Sequence, residues 1–520
     1  MLDRGATSAH LEWSAKRGSD ASGIIIPMPE RIGKSRFFTR LFDMLVPILT
    51  WLAITLPLWL SPFHPAVVAY FIIAFDLYFF YKSAATVYYS VLSYQMILVN
   101  QHIPFKKKVL AIKKAESIEH IIIIPTYKEP LHKLETTVQA LTHSDYPHNK
   151  TVTLVLAFET REEEGSGKAE KLKEKFGSFF KEVIITYHEL LEDEVAGKAS
   201  NQAYSAKQID ALFEKRKIKR ENVLITICDA DSILPKNYFS YLTIEFLKDK
   251  ERLYHFYWAP VMLYNNFLQI PFVVRMQATL SSILRLALLS RGDNLIQIST
   301  YSTNLWLLKQ VGFWDVDIIP EDWHIFFQAF FKFGDKVKTL PIYTIVSGDA
   351  VYSGGLIKTL MNRYEQEKRW AWGVSDIGYA LTQSFLTPHI KPWVKAKKIM
   401  NLIETHLLWP TSFFILTVSG LIPPLVNPIF KRTVLGFLLP QLTSFILSIS
   451  TAFLLVYTYI DIKLRKRLAQ KTKLYNIPLL VVQWYLLPVV SFILSSLPAL
   501  EAHTRIILGK KLKYKVTEKV

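Results

Sequence analysis

The chain has 520 residues, half of them hydrophobic, with a mean hydropathy of +0.19. That is longer than one domain usually runs and more apolar than most soluble enzymes. Its formal charge is +18, which on so apolar a chain points to basic edges against anionic lipid; with no nucleic-acid-binding signature and no zinc-like Cys/His spacing, nucleic acid is excluded as a partner. The one cysteine, Cys228, excludes an internal disulfide and reads as a core thiol.

In chain order, residues 1–37 form a polar tail without periodicity. No early apolar core with a cleavage site occurs, so no cleavable signal peptide is expected. Leu45 to Phe63 carries no charge and is long enough to span a bilayer. After the turn Ser61 to Pro65, Ala66 to Leu92 is a second apolar segment, so two transmembrane helices are expected within 38–97. Asp76 lies inside the second, where an acid should face protein or a polar path, and Lys82 can snorkel. Arg31, Lys34, Arg36 and Arg40 precede the pair, and Lys106, Lys107, Lys108, Lys113 and Lys114 follow it. Positive edges on both sides predict a hairpin with both flanks cytoplasmic, so region 116–380 is expected in the cytoplasm.

That region alternates strands and helices. The runs His120–Pro125, Thr151–Phe158, Val183–Tyr187 and Val223–Ile227 read as strands, with helical segments at Leu131–Leu141 and Lys198–Ala211. This order predicts an α/β, Rossmann-like domain with a mostly parallel sheet and ligands at the carboxyl ends of its strands. The charged run Arg161–Lys175 reads as a solvated helix or loop. Within it, Gly165-Ser166-Gly167-Lys168 fails as a phosphate loop because Glu162 stands where the first glycine belongs.

Residues 381–402 suit an interfacial segment, since Lys391 to Lys398 is basic around Trp393. Within 403–500 follow three long uncharged stretches, Thr405–Phe430, Thr433–Ile460 and Leu474–Leu500. The last is flanked by basic residues on both sides (Lys463 to Lys473, then the tail 501–520). A single crossing cannot leave both ends cytoplasmic, and Pro478, Pro488 and Pro498 would permit a re-entrant path. The sequence therefore gives five apolar segments rather than five crossings.

The chemistry concentrates at Asn222–Pro235, NVLITICDADSILP. A buried β-branched strand runs into Asp229-Ala230-Asp231, and two carboxylates there are costly unless a positive charge joins them. A divalent cation carrying a diphosphate would do so, as hard oxygen ligands suit Mg²⁺ or Mn²⁺; otherwise the pair opens a turn or caps a helix. Upstream, Pro125-Thr126-Tyr127-Lys128-Glu129 ends a strand in a turn that either holds a nucleoside or simply starts a helix. Gly197-Lys198-Ala199-Ser200-Asn201 sets a cation and an amide at a helix start, suited to a phosphate or base. Downstream, Glu321-Asp322 begins a buried helix, as an N-cap or as a base held from water. Gln366, Arg369 and Trp370 share one helical face; an amide, a guanidinium and an indole there suit a diphosphate and a sugar ring, or else the stretch is an amphipathic interface helix anchored by Trp370 and Trp372.

The ordered set IPTYKE, GKASN, DAD, ED and QEKRW resembles the membrane-integrated family-2 glycosyltransferases of the QxxRW type, which include cellulose and hyaluronan synthases and ceramide glucosyltransferases. The resemblance covers Glu116 to Ala380. It implies a GT-A fold, a UDP- or GDP-linked sugar donor and Mg²⁺ or Mn²⁺. By the same resemblance Asp229 contacts the nucleotide with Pro125, Thr126, Tyr127, Glu129, Lys198 and Asn201. Asp231 binds the metal, Asp322 is the general base, and Gln366, Arg369, Trp370 and Glu321 serve the diphosphate and acceptor. The family usually places an aspartate after its second strand to hold the base and ribose; here Glu159 stands there and is expected to bind the nucleotide with a longer reach. The implied activity is inverting, processive transfer to a glycan exported through the bilayer. The alternatives are single transfer to a lipid acceptor, and a transporter with a nucleotide-sensing domain.

Overall fold

A computed structural model describes residues 36–467 and 477–512. The polar tail before Arg36, Lys471 and Lys473, and the tail lysines Lys513 and Lys515, lie outside the described residues.

Two long helices lead the chain, α1 (Arg36–Leu60) and α2 (Pro65–Asn100). The α/β domain follows: β1 (Glu119–Pro125), α3 (Leu131–Thr142), β2 (Val152–Glu159), α4 (Gly165–Phe176), β3 (Glu182–His188), α5 (Lys198–Lys215), β4 (Val223–Ile227) and α6 (Tyr238–Lys248). It continues through β5 (His255–Trp258), β6 (Val261–Met262), α7 (Phe272–Leu289), β7 (Tyr301–Asn304), α8 (Leu305–Val311), α9 (Glu321–Phe333), β8 (Lys338–Pro341) and β9 (Val346–Ser347). Then come α10 (Leu356–Ala371), α11 (Ser375–Leu386), α12 (Pro392–Thr417) and α13 (Val434–Arg467).

The main sheet has strand order β3-β2-β1-β4-β7-β5-β8. Strands β1 to β4 are mutually parallel, with Ile123 opposite Val155 on one side and Ile227 on the other, and β7 runs antiparallel between β4 and β5. The mixed, mostly parallel sheet thus agrees with the expectation from the alternating runs. β2 and β4 are buried along their whole length, as is β1 between its ends. Helices cover both faces, which is why these strands are continuous apolar runs rather than alternating ones. The expected solvated run at Arg161–Lys175 is helix α4, buried only on the face of Ala169, Leu172 and Phe176.

Five helices among the described residues are long and apolar enough to cross a membrane: Phe37–Leu60, Pro65–Asn100, Phe272–Leu289, Val434–Lys466 and Gln483–Ile507. The pair Pro392–Thr417 and Ser419–Val426, bent by 43°, would add a sixth. α7 is a special case. It spans about 27 Å at 1.5 Å per residue, but β6 precedes it and β7 follows it, both within the α/β domain. One crossing would put those strands on opposite sides of a bilayer, so α7 lies along the domain, tied to α2 by Ser93 and Ser290 hydroxyls 2.6 Å apart.

The basic segment around Trp393 forms the first turns of α12 and runs unbroken into the apolar stretch. The last stretch is irregular. A helix at Ile477–Val482 passes through a 3-10 turn, a short helix Leu487–Ser491 and a π segment Phe492–Ser496 before α14 (Leu497–Ile507). Pro488 and Pro498, each lacking an N–H, sit at the starts of two of these pieces.

Candidate active site

The carboxyl ends of β1, β2 and β4 open onto a cavity of about 1390 Å³ that continues between the candidate membrane-spanning helices. All the residues singled out in the sequence line it: Pro125, Thr126, Tyr127, Glu129, Glu159, Lys198, Asn201, Asp229, Asp231, Glu321, Asp322, Gln366, Arg369 and Trp370.

Lys198, at the first turn of α5, is the electrostatic centre. Its Nζ lies 2.8 Å from Asp229 Oδ1, 3.4 Å from Asp322 Oδ1 and 3.6 Å from Glu321 Oε1, and donates to the Ser299 carbonyl at 2.8 Å. Burial opposes its charge, but the three acids outweigh burial and hold its pKa well above the ordinary lysine value. One ammonium thus gathers acids from β4 and α9 that are far apart in sequence.

Asp322 is the second residue of α9, and Pro320 takes the N-cap position, so the carboxylate does not cap its own helix. Its Oδ2 instead accepts the Ser299 N–H at 2.6 Å, and its carbonyl accepts from Gln297 at 3.0 Å. Burial raises the Asp322 pKa to about 7; Lys198 opposes the rise while Glu321 and Asp229 add to it. Glu321 is raised as well, chiefly by burial. Ser299 has φ of 69°, a left-handed conformation costly for a residue with a Cβ. Its hydroxyl donates to Asp229 Oδ2. Sequence reasoning missed Ser299, which belongs to no motif and becomes central only when β7 brings its loop beside β4.

The Asp229–Asp231 turn is fixed from several sides. Thr137 donates to the Ala230 carbonyl at 2.7 Å, Asn265 to the Asp231 carbonyl at 2.9 Å, and the Asp349 N–H to Asp231 Oδ2 at 2.9 Å. Among the described residues no group of three or more His, Cys, Asp or Glu side chains is arranged to hold a metal ion. The cavity-lining carboxylates of Asp229 and Asp231 are hard oxygen donors of the kind Mg²⁺ or Mn²⁺ takes one or two at a time, with water and substrate phosphate completing the shell.

At the β1–β2 end of the cavity the turn after β1 is braced by Glu162. It accepts the Lys128 N–H at 2.7 Å, where Lys128 has φ of 61°, and pairs with Lys168 at 2.8 Å. Lys168 also donates to the Glu129 carbonyl at 3.0 Å. The false phosphate loop therefore supplies a strut. Arg161 lies over the Tyr127 ring, 4.6 Å from its centroid, and its Nε donates to Glu159 Oε2 at 2.9 Å. Glu159, standing where a family aspartate was expected, is thus buried and held by Arg161, a second cavity-lining residue that no motif announced. Asn201 spends its amide N–H on the Ala157 carbonyl at 2.8 Å, joining α5 to the end of β2, while its Oδ1 and the Thr126 hydroxyl are buried without partners.

At the other end, Arg369 is close enough to Glu321 to act on it electrostatically. Trp370 meets guanidinium groups, with Arg363 at 4.7 Å and Arg285 at 5.4 Å from the ring centroid, so its ring is less open to a sugar than the helical face alone suggests. On the buried face of α9, His324 bridges Asp376 and Asp315 at 2.9 Å each. Burial lowers its pKa, but the two acids prevail and raise it to about 9.

Residues 224–461 match the family described as glycosyl transferase family group 2. Over that stretch, a little under half of its length, the chain is similar to family-2 glycosyltransferases. The match begins in β4, directly before Asp229, and takes in Asp231, Glu321, Asp322 and the QEKRW helix. No curated protein matches the chain. Among solved structures it is similar to mannosyltransferase PcManGT from Pyrobaculum calidifontis in complex with GDP-Man and Mn²⁺, at 13% identity and a TM-score of 0.40, over 82% of this chain and 99% of that one.

Proposed function

We propose that the protein is a metal-dependent, inverting hexosyltransferase at the cytoplasmic face of the membrane. It moves a sugar from a UDP- or GDP-linked donor to a growing polysaccharide, which passes out between the membrane helices. The observation that carries this reading is the single cavity joining Asp231 and Asp322 to the membrane helices.

Asp229 and the Tyr127–Glu159 end hold the nucleotide. Asp231 would hold Mg²⁺ or Mn²⁺ against the donor diphosphate, and such an ion offsets charge on the departing phosphate. Arg369 adds a fixed cation for the same purpose. Asp322 takes the proton of the acceptor hydroxyl as that oxygen bonds to the anomeric carbon and the bond to the diphosphate breaks. Its raised pKa suits a base working near neutrality. Lys198 keeps the neighbouring acids from repelling one another before substrate binds.

The membrane half of the cavity favours a glycan. Hydroxyls of Ser412, Ser448 and Thr451 and the rings of Trp409, Trp484 and Tyr485 line it. Those three hydroxyls donate to carbonyls of their own helices, which leaves their oxygens to accept from sugar hydroxyls, and the rings suit sugar faces. A second reading, transfer to a lipid, draws on Lys82 and Arg291, which also line the cavity and would suit a phosphate headgroup. Membranes containing the protein, incubated with labelled nucleotide sugars and Mn²⁺, decide between them. Labelled product too large for solvent extraction supports the polymer, organic-soluble product of low mass supports the lipid, and no product from any donor overturns both.

A further inference from the structure

The helix bearing QEKRW is held by a buried polar cluster to which no motif assigns a role. Arg363 lies one turn before Gln366 and is buried, as are Gln366, Glu367 and Gln277 of α7. The Arg363 guanidinium donates from Nε to Gln277 Oε1 at 2.8 Å, and from its two terminal nitrogens to Gln366 and Glu367. The same guanidinium lies on the Trp370 ring. The Gln277 amide donates both to Glu367 Oε1 at 2.9 Å and to the Leu494 carbonyl at 2.6 Å.

Leu494 lies in the π segment Phe492–Ser496 of the last membrane stretch. Such bulges alter the helical hydrogen-bond ladder and are frequent at functional sites. Here the bulge offers a carbonyl to a side chain of the α/β domain. Gln277, Gln366, Glu367 and Trp370 all face the same cavity as Asp322.

A buried Arg–Glu pair is a poor way to gain stability, since well-packed apolar residues usually serve as well or better. It does fix orientation: the Arg363 guanidinium is held by Gln277, Gln366 and Glu367, and the Gln277 amide by Glu367 and the Leu494 carbonyl. Taking the reading above for the cavity, we infer that Gln277, Arg363 and Glu367 form a positioning network that fixes Gln366 and Trp370 toward the acceptor and locks their helix to the π-bulged membrane helix. Arg363 and Gln277 are positioning residues that act through Gln366, Glu367 and Trp370.

The experiment compares wild type, Arg363→Lys and Gln277→Met as full-length protein in membranes. Arg363→Lys keeps the charge and loses the fork; Gln277→Met keeps the volume and loses the link to Leu494. Two quantities are read: labelled sugar incorporated into membrane-bound product, and binding of UDP and of GDP with Mn²⁺. Incorporation should fall about 10- to 100-fold, the scale of a misplaced reacting group, while nucleotide binding stays within about twofold of wild type. Wild-type incorporation in either variant overturns the network, and so does a parallel loss of nucleotide binding in both, which marks a merely structural role. If Arg363→Lys fails to fold, Gln277→Met alone decides. A wild type that binds nucleotide but makes no product refutes the functional reading instead.

Discussion

Ser299 donates its backbone N–H to Asp322 at 2.6 Å from a left-handed conformation. The strained backbone and the acid it orients come from different parts of the fold, the loop before β7 and the start of α9. Strain of this kind, about 1–3 kcal/mol, persists where surrounding structure holds it in place. Glycine removes it and keeps the N–H, whereas a β-branched residue makes it worse. Ser299→Gly is expected to keep measurable transfer, and Ser299→Val to lose more than tenfold relative to Ser299→Gly, on the order of the 1.4 kcal/mol that a factor of ten represents. Initial rates of nucleoside diphosphate release compare the two; equal rates would remove the conformation of Ser299 from the account.

The pH dependence follows from Asp322. A base must be deprotonated, and burial lifts this carboxyl to about 7. Activity of the free enzyme on subsaturating donor should therefore be low at pH 5.5 and rise through about pH 7, well above the ordinary carboxylate range. In Lys198→Met, loss of the ammonium beside Asp322 should move that rise to higher pH. A kcat/KM profile flat from pH 5.5 to 8 would contradict both statements.

Metal dependence should reside in Asp231. Chelation by EDTA is expected to abolish turnover, with Mn²⁺ or Mg²⁺ restoring it. Asp231→Ala should lose the metal-dependent part of nucleoside diphosphate binding, about tenfold or more in Kd, with the fold intact. Calorimetry with UDP and GDP, with and without Mn²⁺, measures it directly.

His324 should matter for stability. Its imidazolium lies between Asp376 and Asp315, and Asp376 is buried. His324→Ala leaves a buried carboxylate unpaired, which costs about 3–5 kcal/mol. Thermal unfolding in detergent should show a clear fall in Tm, and adding Asp376→Asn should recover part of it because the orphaned charge is gone. Additive losses in the double variant would show that the two residues do not act as a pair.

Much of this was legible in the sequence, for physical reasons. Strands buried on both faces must be apolar along their whole length, so β1, β2 and β4 could be read directly. The acidic turn after β4 and the face shared by Gln366, Arg369 and Trp370 are local patterns, and the fold brings them to one cavity. What could not be read depends on contacts between distant segments. Ser299 gains its role only through the β4–β7 pairing. Arg161 does so by folding back over Tyr127, and Gln277 by bridging α10 to a bulge in the last apolar stretch. The irregular path of the last stretch was foreshadowed by its prolines, but its π segment carries no sequence mark.

The central claim is that Asp322 is the base of a transfer reaction whose donor is bound elsewhere in the cavity. The most direct test is Asp322→Asn, assayed side by side for labelled sugar transfer and for Mn²⁺-dependent nucleoside diphosphate binding. Transfer should fall by about 10²- to 10⁴-fold, the range for losing a general base, with binding within a few-fold of wild type. Retained transfer, or nucleotide binding lost to the same extent as transfer, would contradict it.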